Sequence, residues 1–507
     1  MTTMTTGSDT LTRDALAVLQ PGFVGTTAPD WLLRRIDEGL ASVGLFGRNI
    51  VSAPQVAALT AQLRAERDDL LVAIDEEGGD VTRIEVRTGS SFPGNLALGA
   101  VDDLELTREV ARELGRRLAE CGVNLNWAPS ADVNSNPDNP IIGVRAFGAD
   151  TELVARHTAA YIEGLQASGV AACTKHFPGH GDTNVDSHHA MPRIDVDLDT
   201  LHARELVPFR AAIAAGSKSV MSAHILLPAL DPARPATLSP RILTGLLREE
   251  LGFDGLIVSD AVEMQAIAGT VGIERGSVLA IAAGADALCV GGGLADEGTV
   301  LRLRDALVAA VRDGELAEER LADAAARVRA LAAWAQRARG DVTAPGAAVQ
   351  EGTAPGTGIG SDIGLVAARR AARITASPSW RPLEQAPYVA TFTPVMNIAV
   401  SSETPWSIGA ELDGLLPGTR SGTYGTDAAA AEVLADAGER RIVAVVRDEH
   451  RHPWMAAALD ALLAARPDTV VVEMGVPRAT PRGALHIATH GAARVCGRAA
   501  AEAIAGV

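Results

Sequence analysis

The sequence predicts an α/β protein: a (β/α)8 barrel of the TIM type followed by a smaller three-layer αβα sandwich. Three observations predict it. Over residues 11–338, short apolar runs alternate with longer stretches of helical periodicity. Polar residues able to do chemistry come directly after those runs, as on the rim of a parallel barrel. A Pro/Gly/Thr-rich stretch then breaks the pattern before a second, shorter alternation begins. The expected boundaries are 1–340 for the barrel, 341–360 for the linker and 361–507 for the sandwich. A doubly wound open sheet is the alternative architecture for the first domain.

The barrel strands are expected at 18–24, 43–46, 71–74, 123–127, 170–174, 219–222, 256–259 and 285–290. Amphipathic helices are expected at 55–67, 103–121, 151–168 and 201–215. In the second of these, Leu104, Leu106, Val110, Leu114 and Leu118 recur at helical spacing. Gly291-Gly292-Gly293 follows the eighth run. No Lys-Ser/Thr pair comes after it, so it reads as a tight turn rather than a phosphate loop. In the second domain, apolar runs at 396–400, 441–446 and 469–474 are expected strands. The stretches 427–437 and 455–465 are expected helices.

The chain has 507 residues, of which 47% are hydrophobic and 21% charged, which is globular composition for two domains. Its net charge of -18 argues against nucleic acid or an anionic membrane as partner. Cys121, Cys173, Cys289 and Cys496 are far apart and form no CxxC pair, so neither a disulfide framework nor a zinc site is expected. Residues 1–12 lack the basic and apolar regions of a signal peptide, and no apolar run is long enough to span a membrane. A cytoplasmic protein is expected. The sequence carries no signal for oligomeric state.

The stretch from Lys175 to His188 holds one lysine, three histidines and two aspartates in fourteen residues. Pro178, Gly179 and Gly181 exclude a helix, so a buried strand ends here in a loop of proton-handling groups. A metal site is one reading, but the spacings fit neither a HExxH helix nor a compact ligand set. A merely polar surface loop is a second. The third is acid–base chemistry: Asp186 and His188 are two apart, share one side of an extended segment, and together make a proton shuttle. No GxSxG elbow supports a Ser-His-Asp hydrolase. Asp75 and Asp260 each follow an apolar run. Asp75 is placed to accept hydrogen bonds from adjacent hydroxyls, with Arg83 returning to the same pocket, although a solvated acidic loop fits as well. Asp260 reads as a nucleophile, a general base, a metal ligand or a helix N-cap.

With these residues in view, the chain resembles glycoside hydrolase family 3, and in particular its β-N-acetylglucosaminidase branch. The resemblance rests on Lys175-His176-Phe177-Pro178-Gly179-His180-Gly181 followed by Asp186-Ser187-His188. Supporting matches are Gly44-Leu45-Phe46-Gly47-Arg48-Asn49, Phe92-Pro93-Gly94, the segment from Asn139 to Gly148, Val220-Met221-Ser222-Ala223-His224, and Ser259-Asp260. The resemblance is strong over residues 11–340 and weaker over 360–507.

It implies a retaining, exo-acting β-N-acetylglucosaminidase that needs no cofactor and no metal. Asp260 would be the nucleophile, and His188 paired with Asp186 the acid/base. Asp75, Arg83, Arg145, Lys175 and His176 would bind the sugar of a GlcNAc-containing oligosaccharide or glycoside. A histidine acid/base does not repel phosphate as a carboxylate does, so a phosphorylase using inorganic phosphate is the alternative. A β-glucosidase is a further rival. A non-catalytic sugar-binding protein would be expected to lack Asp260 or His188, and both are present. The family usually reads Asp-Gln-Glu-Gly-Gly-Arg where this chain has Glu76 and Asp80. These two changes are expected to add negative charge near the pocket rim and to alter contacts with the aglycone of muropeptide-type substrates.

Overall fold

The computed structural model describes residues 3–183, 191–343, 362–394, 400, 403–425 and 429–507. The chain divides into two compact units. The first comprises Met1–Glu77, Thr107–Ile142 and Ala149–Gly352. The second comprises Gly78–Leu106, Gly143–Gly148 and Thr353–Val507.

Eight strands form the first unit's sheet: β1 (Leu19–Pro21), β2 (Ser42–Leu45), β3 (Leu71–Ile74), β4 (Leu125–Asn126), β5 (Ala171–Phe177), β6 (Ser219–Ser222), β7 (Leu256–Ser259) and β8 (Ala287–Val290). Their order is β1-β8-β7-β6-β5-β4-β3-β2, with parallel pairing throughout. A doubly wound sheet would reverse its strand order at an interior strand. Here the order runs without reversal and brings β1 beside β8, so the sheet curls into a nearly closed barrel. Among the described residues no ladder joins β1 to β2. Pro21 has no N–H to offer such a ladder, and the seam is crossed instead by Gln20 Nε2 donating to Ser42 Oγ at 2.5 Å.

The strands are buried along their whole length, which is why most of them read as apolar runs rather than as alternation. The helix predicted over 103–121 forms at Leu104–Glu120 and buries Leu106, Val110, Leu114 and Leu118. Burying each of these leucines contributes about 1.5–3 kcal/mol. The helix Thr151–Ala167 starts where Asp150 accepts from Leu153 N–H at 2.8 Å. The helix expected over 201–215 is divided. Residues Leu201–Glu205 wind more widely, and a regular helix follows at Leu206–Ala214. Pro208, three residues into that helix, cannot donate to the turn before it.

The second unit holds six strands: β9 (Arg373–Ala376), β10 (Tyr388–Phe392), β11 (Arg420–Tyr424), β12 (Ile442–Val446), β13 (Val470–Glu473) and β14 (Leu485–Ala488). Their order is β11-β10-β12-β13-β14-β9, with only the edge strand β9 antiparallel. The pleat sends Val443 and Val445 to one face, where they pack with Val470, Val472, Ile487 and the helix Arg494–Ala505. Ile442, Ala444 and Val446 go to the other face, with Phe392, Met455, Leu459 and Leu462. This is the three-layer sandwich. Segments from earlier in the chain complete it. Arg373 donates to the Ala100 carbonyl at 2.5 Å, and Arg370 pairs with Asp103 at 2.8 Å.

Strands expected at 441–446 and 469–474 form as β12 and β13, and the helices expected at 427–437 and 455–465 form as Ala429–Ala437 and Pro453–Ala465. The strand expected at 396–400 lies, Val400 apart, outside the described residues, as does the linker from 344 onward. All four cysteines are buried thiols. Among the described residues no helix is long and apolar enough to cross a membrane.

Candidate active site

In a parallel barrel all strand C-termini meet on one rim. Asp75 follows β3, Ser130 and Asp132 follow β4, Lys175 and His176 lie near the end of β5, His224 follows β6, and Asp260 follows β7. Their convergence is visible in two buried thiols beneath them. Burial raises Cys173 to about 12, and the carboxylates of Asp75 and Asp260 act on it in the same direction. Burial likewise raises Cys289, with Glu263, Asp260 and Asp75 adding to the shift.

Lys175 is 2% exposed, and its Nζ lies 2.6 Å from Asp75 Oδ1 and 2.7 Å from Glu77 Oε1. A buried ammonium needs such counter-charge.

Asp132 is fully buried and accepts four hydrogen bonds. Its Oδ1 takes the backbone N–H groups of His176 at 3.2 Å and His180 at 2.7 Å. Its Oδ2 takes His176 Nδ1–H at 2.8 Å and the Ser130 hydroxyl at 2.9 Å. Burial alone would raise this carboxyl, but the charge and hydrogen bond of His176 outweigh it and hold the group well below the usual carboxylate range. Asp132 therefore fixes the orientation of the His176 ring and ties down the start of the loop beyond it. Gly181 is packed so tightly in that loop that a Cβ would lie 1.7 Å from the Val133 carbonyl oxygen. His180 is lowered to about 4, by burial first and then by His176, so it is neutral near pH 7. Its Nδ1 lies 2.9 Å from Thr183 Oγ1.

The Asp260 N–H donates to the Ser222 carbonyl at 3.1 Å, and its Oδ1 accepts from Ala261 N–H at 2.8 Å. The neighbouring backbone is held by His224, whose Nε2 donates to the Ala261 carbonyl at 2.9 Å. In the same segment after β7, Glu263 Oε1 accepts from the N–H groups of Gly291 and Gly292, just beyond the adjacent strand β8. Arg48 donates to the carbonyls of the same two residues at 2.5 and 2.9 Å. The triple-glycine turn is thus filled by the protein's own side chains, in keeping with a structural turn.

The structure brings Asp75, Lys175, His176 and Asp260 into the first unit. Arg83 and Arg145 belong to the second. Arg145 is buried at the end of the short turn Gly143–Arg145, and its carbonyl accepts from Asn95 Nδ2 at 2.7 Å. Asp186 and His188 lie outside the described residues.

One expectation needs correction. Glu76 and Asp80 do not add open charge near a rim, for they are 3% and 5% exposed. The backbone of Glu76 is bonded on both sides by the Asn126 amide, at 3.0 and 2.7 Å. Asp80 is ion-paired with Arg447. The expected change in aglycone contacts therefore has no support from these two residues. Sequence reasoning also missed two residues. Glu77 was passed over within the acidic run, although a lysine ending a buried strand called for more than one counter-charge. Asp132 was given no role, although two histidines close after the next strand called for an acceptor.

Residues 30–331 match the family model described as the glycosyl hydrolase family 3 N terminal domain. The chain is 36% identical over 325 residues to beta-hexosaminidase A of Pseudoalteromonas piscicida, which covers 59% of this chain and 54% of that protein. It therefore spans about half the length of that relative. It is 39% identical over 258 residues to the beta-hexosaminidase of Chromobacterium violaceum, covering 50% of this chain and 71% of that protein. A solved structure of a glycoside hydrolase family 3 beta-N-acetylglucosaminidase, from Paenibacillus sp. str. FPU-7, matches with a TM-score of 0.85 at 34% identity. It covers 98% of this chain and 96% of that one. With the family match spanning more than half the sequence, and the rim carboxylates, lysine and histidine in place, the chain belongs to glycoside hydrolase family 3.

Proposed function

We propose that this protein is a retaining, exo-acting β-N-acetylglucosaminidase that removes terminal β-linked GlcNAc from a glycoside. The observation that carries this reading is the convergence of Asp75, Lys175 and Asp260 on one barrel rim, in a chain 34% identical to a β-N-acetylglucosaminidase across nearly its whole length. Asp260 attacks the anomeric carbon as His188 protonates the departing glycosidic oxygen, and a covalent glycosyl-enzyme results. His188, now neutral, takes a proton from water. The water oxygen attacks the same carbon, and Asp260 leaves as a carboxylate. Asp186 keeps His188 in the tautomer that both steps need. Asp75 accepts hydrogen bonds from sugar hydroxyls while Lys175 holds its carboxylate in place. His176, oriented by Asp132, donates to the substrate, as do Arg83 and Arg145.

The test has two arms. In the first, proton NMR of the first-formed product of an N-acetylglucosaminide is expected to show the β-anomer, and an α-anomer would overturn the double displacement. In the second, His188→Ala is expected to lose roughly 10²–10⁴-fold in turnover of an unactivated glycoside. Near-parental turnover of that substrate removes His188 from the mechanism.

A further inference from the structure

The mechanism leaves one buried charge pair unused. Asp80 and Arg447 stand 367 positions apart in the chain, and their paired side chains are 1% and 7% exposed. Asp80 Oδ2 is the oxygen in that pair, and Oδ1 accepts from the Ala492 N–H at 2.7 Å. Both carboxylate oxygens are therefore engaged by the sandwich part of the second unit, Oδ2 just after β12 and Oδ1 after β14. The Arg447 guanidinium also lies over the Trp406 ring, 5.9 Å from its centroid.

The segment that Asp80 belongs to is a tight, buried turn. Gly78 and Gly79 precede it with φ of 78° and 65°, Gly78 bridges Val81, and the Gly79 N–H donates to the Phe92 carbonyl at 2.9 Å. Thr82 then accepts Glu85 N–H on its hydroxyl at 3.2 Å and starts the next turn. Arg83 sits between these two points. A second tether lies beyond it, where Arg494 reaches Glu85 at 3.6 Å. A buried ion pair is a weak device for stability alone, since apolar residues of similar size do as well, but it is a good one for fixing a single geometry.

We propose that Asp80 and Arg447 are positioning residues. They lock the turn from Gly78 to Arg83 in the conformation from which Arg83 binds the sugar. This rests on the assignment of Arg83 to sugar made above.

The test is a double-mutant cycle on the full chain, read as KM and kcat with an aryl β-N-acetylglucosaminide, with circular dichroism to confirm folding. Arg83→Ala is expected to raise KM about tenfold, the worth of one hydrogen bond to a charged group. Asp80→Asn is expected to raise KM by a similar factor and to leave kcat within about threefold. Adding Asp80→Asn to Arg83→Ala should raise KM no further. If the two factors multiply, or if Asp80→Asn leaves KM unchanged while Arg83→Ala raises it, the positioning role is overturned. If Arg83→Ala itself leaves KM unchanged, the sugar-binding assignment fails and takes this inference with it. Should Asp80→Asn misfold, the charge-swapped pair Asp80→Arg with Arg447→Asp gives the answer. Recovery of KM to within a few-fold supports the lock, and a folded swap with KM still raised tenfold refutes it.

Discussion

Replacing Asp132 with asparagine removes one oxygen from a carboxylate that accepts four hydrogen bonds at the barrel rim. Oδ1 can keep the two backbone N–H groups, at 3.2 and 2.7 Å. The new amide nitrogen then faces His176 Nδ1–H at about the present 2.8 Å, donor against donor. The ring must either flip its tautomer or turn away, and in both cases the edge presented to substrate changes. A hydrogen bond to a charged group is worth about 1.5–3 kcal/mol. At about 1.4 kcal/mol per decade, this predicts a loss of roughly 10- to 150-fold in kcat/KM. The assay is release of an aryl leaving group from a β-N-acetylglucosaminide. Circular dichroism checks the fold, and nitrogen NMR of the labelled imidazole reports its tautomer. Activity within about threefold of the parent, in a folded protein whose His176 tautomer has changed, would show that His176 orientation does not matter to turnover.

Other outcomes follow from the same geometry. Lys175→Met leaves Asp75 and Glu77 without their shared cation, and urea unfolding is expected to show a loss of about 3 kcal/mol along with the activity. A loss below about 1 kcal/mol would mean that the two carboxylates find protons or water instead. Burial, with Asp448 adding to it, raises Glu473 to about 8, so the folded state holds this proton more tightly than the unfolded chain. Its stabilising contribution is complete below about pH 4.5 and is lost as pH rises through about 8, at up to about 1.4 kcal/mol per pH unit. Glu473→Gln should therefore flatten the fall in thermal midpoint between pH 5 and 8, and an unchanged slope would contradict that. With water as acceptor, rate and product should be the same in buffers with and without phosphate. A sugar 1-phosphate as the main product would make the enzyme a phosphorylase.

The barrel was legible because its strands are buried and most of them lie in a short apolar run. Ser219–Ser222 and Leu256–Ser259 were placed to the residue for that reason. The sandwich was less so. The edge strands Arg373–Ala376 and Arg420–Tyr424 are largely exposed and polar, so no apolar run marks them, although their backbones are fully part of the sheet. At the site, Asp75 and Lys175 could be named separately from their positions after strands. Their pairing to each other and to Glu77 could not, because a hundred residues separate them and only the closing of the sheet brings them together. The burial of Asp80 was out of reach for the same reason. A carboxylate beside two glycines looks solvated until its partner, Arg447, is found in the other half of the sequence.

The second unit is discontinuous in the chain, and this bears on how the protein is made. Residues 78–106 leave the ribosome long before β10 to β14 exist to receive them. During synthesis the helix Asn95–Val101 and the carboxylate of Asp80 have no sandwich to pack against, while the eight strands of the first unit can already pair. A chain cut after residue 343 would stay in that condition permanently, with an apolar helix face left to water and Asp80 without Arg447. Proteolytic loss of the C-terminal third should therefore leave residues 78–106 without the rest of the unit they belong to.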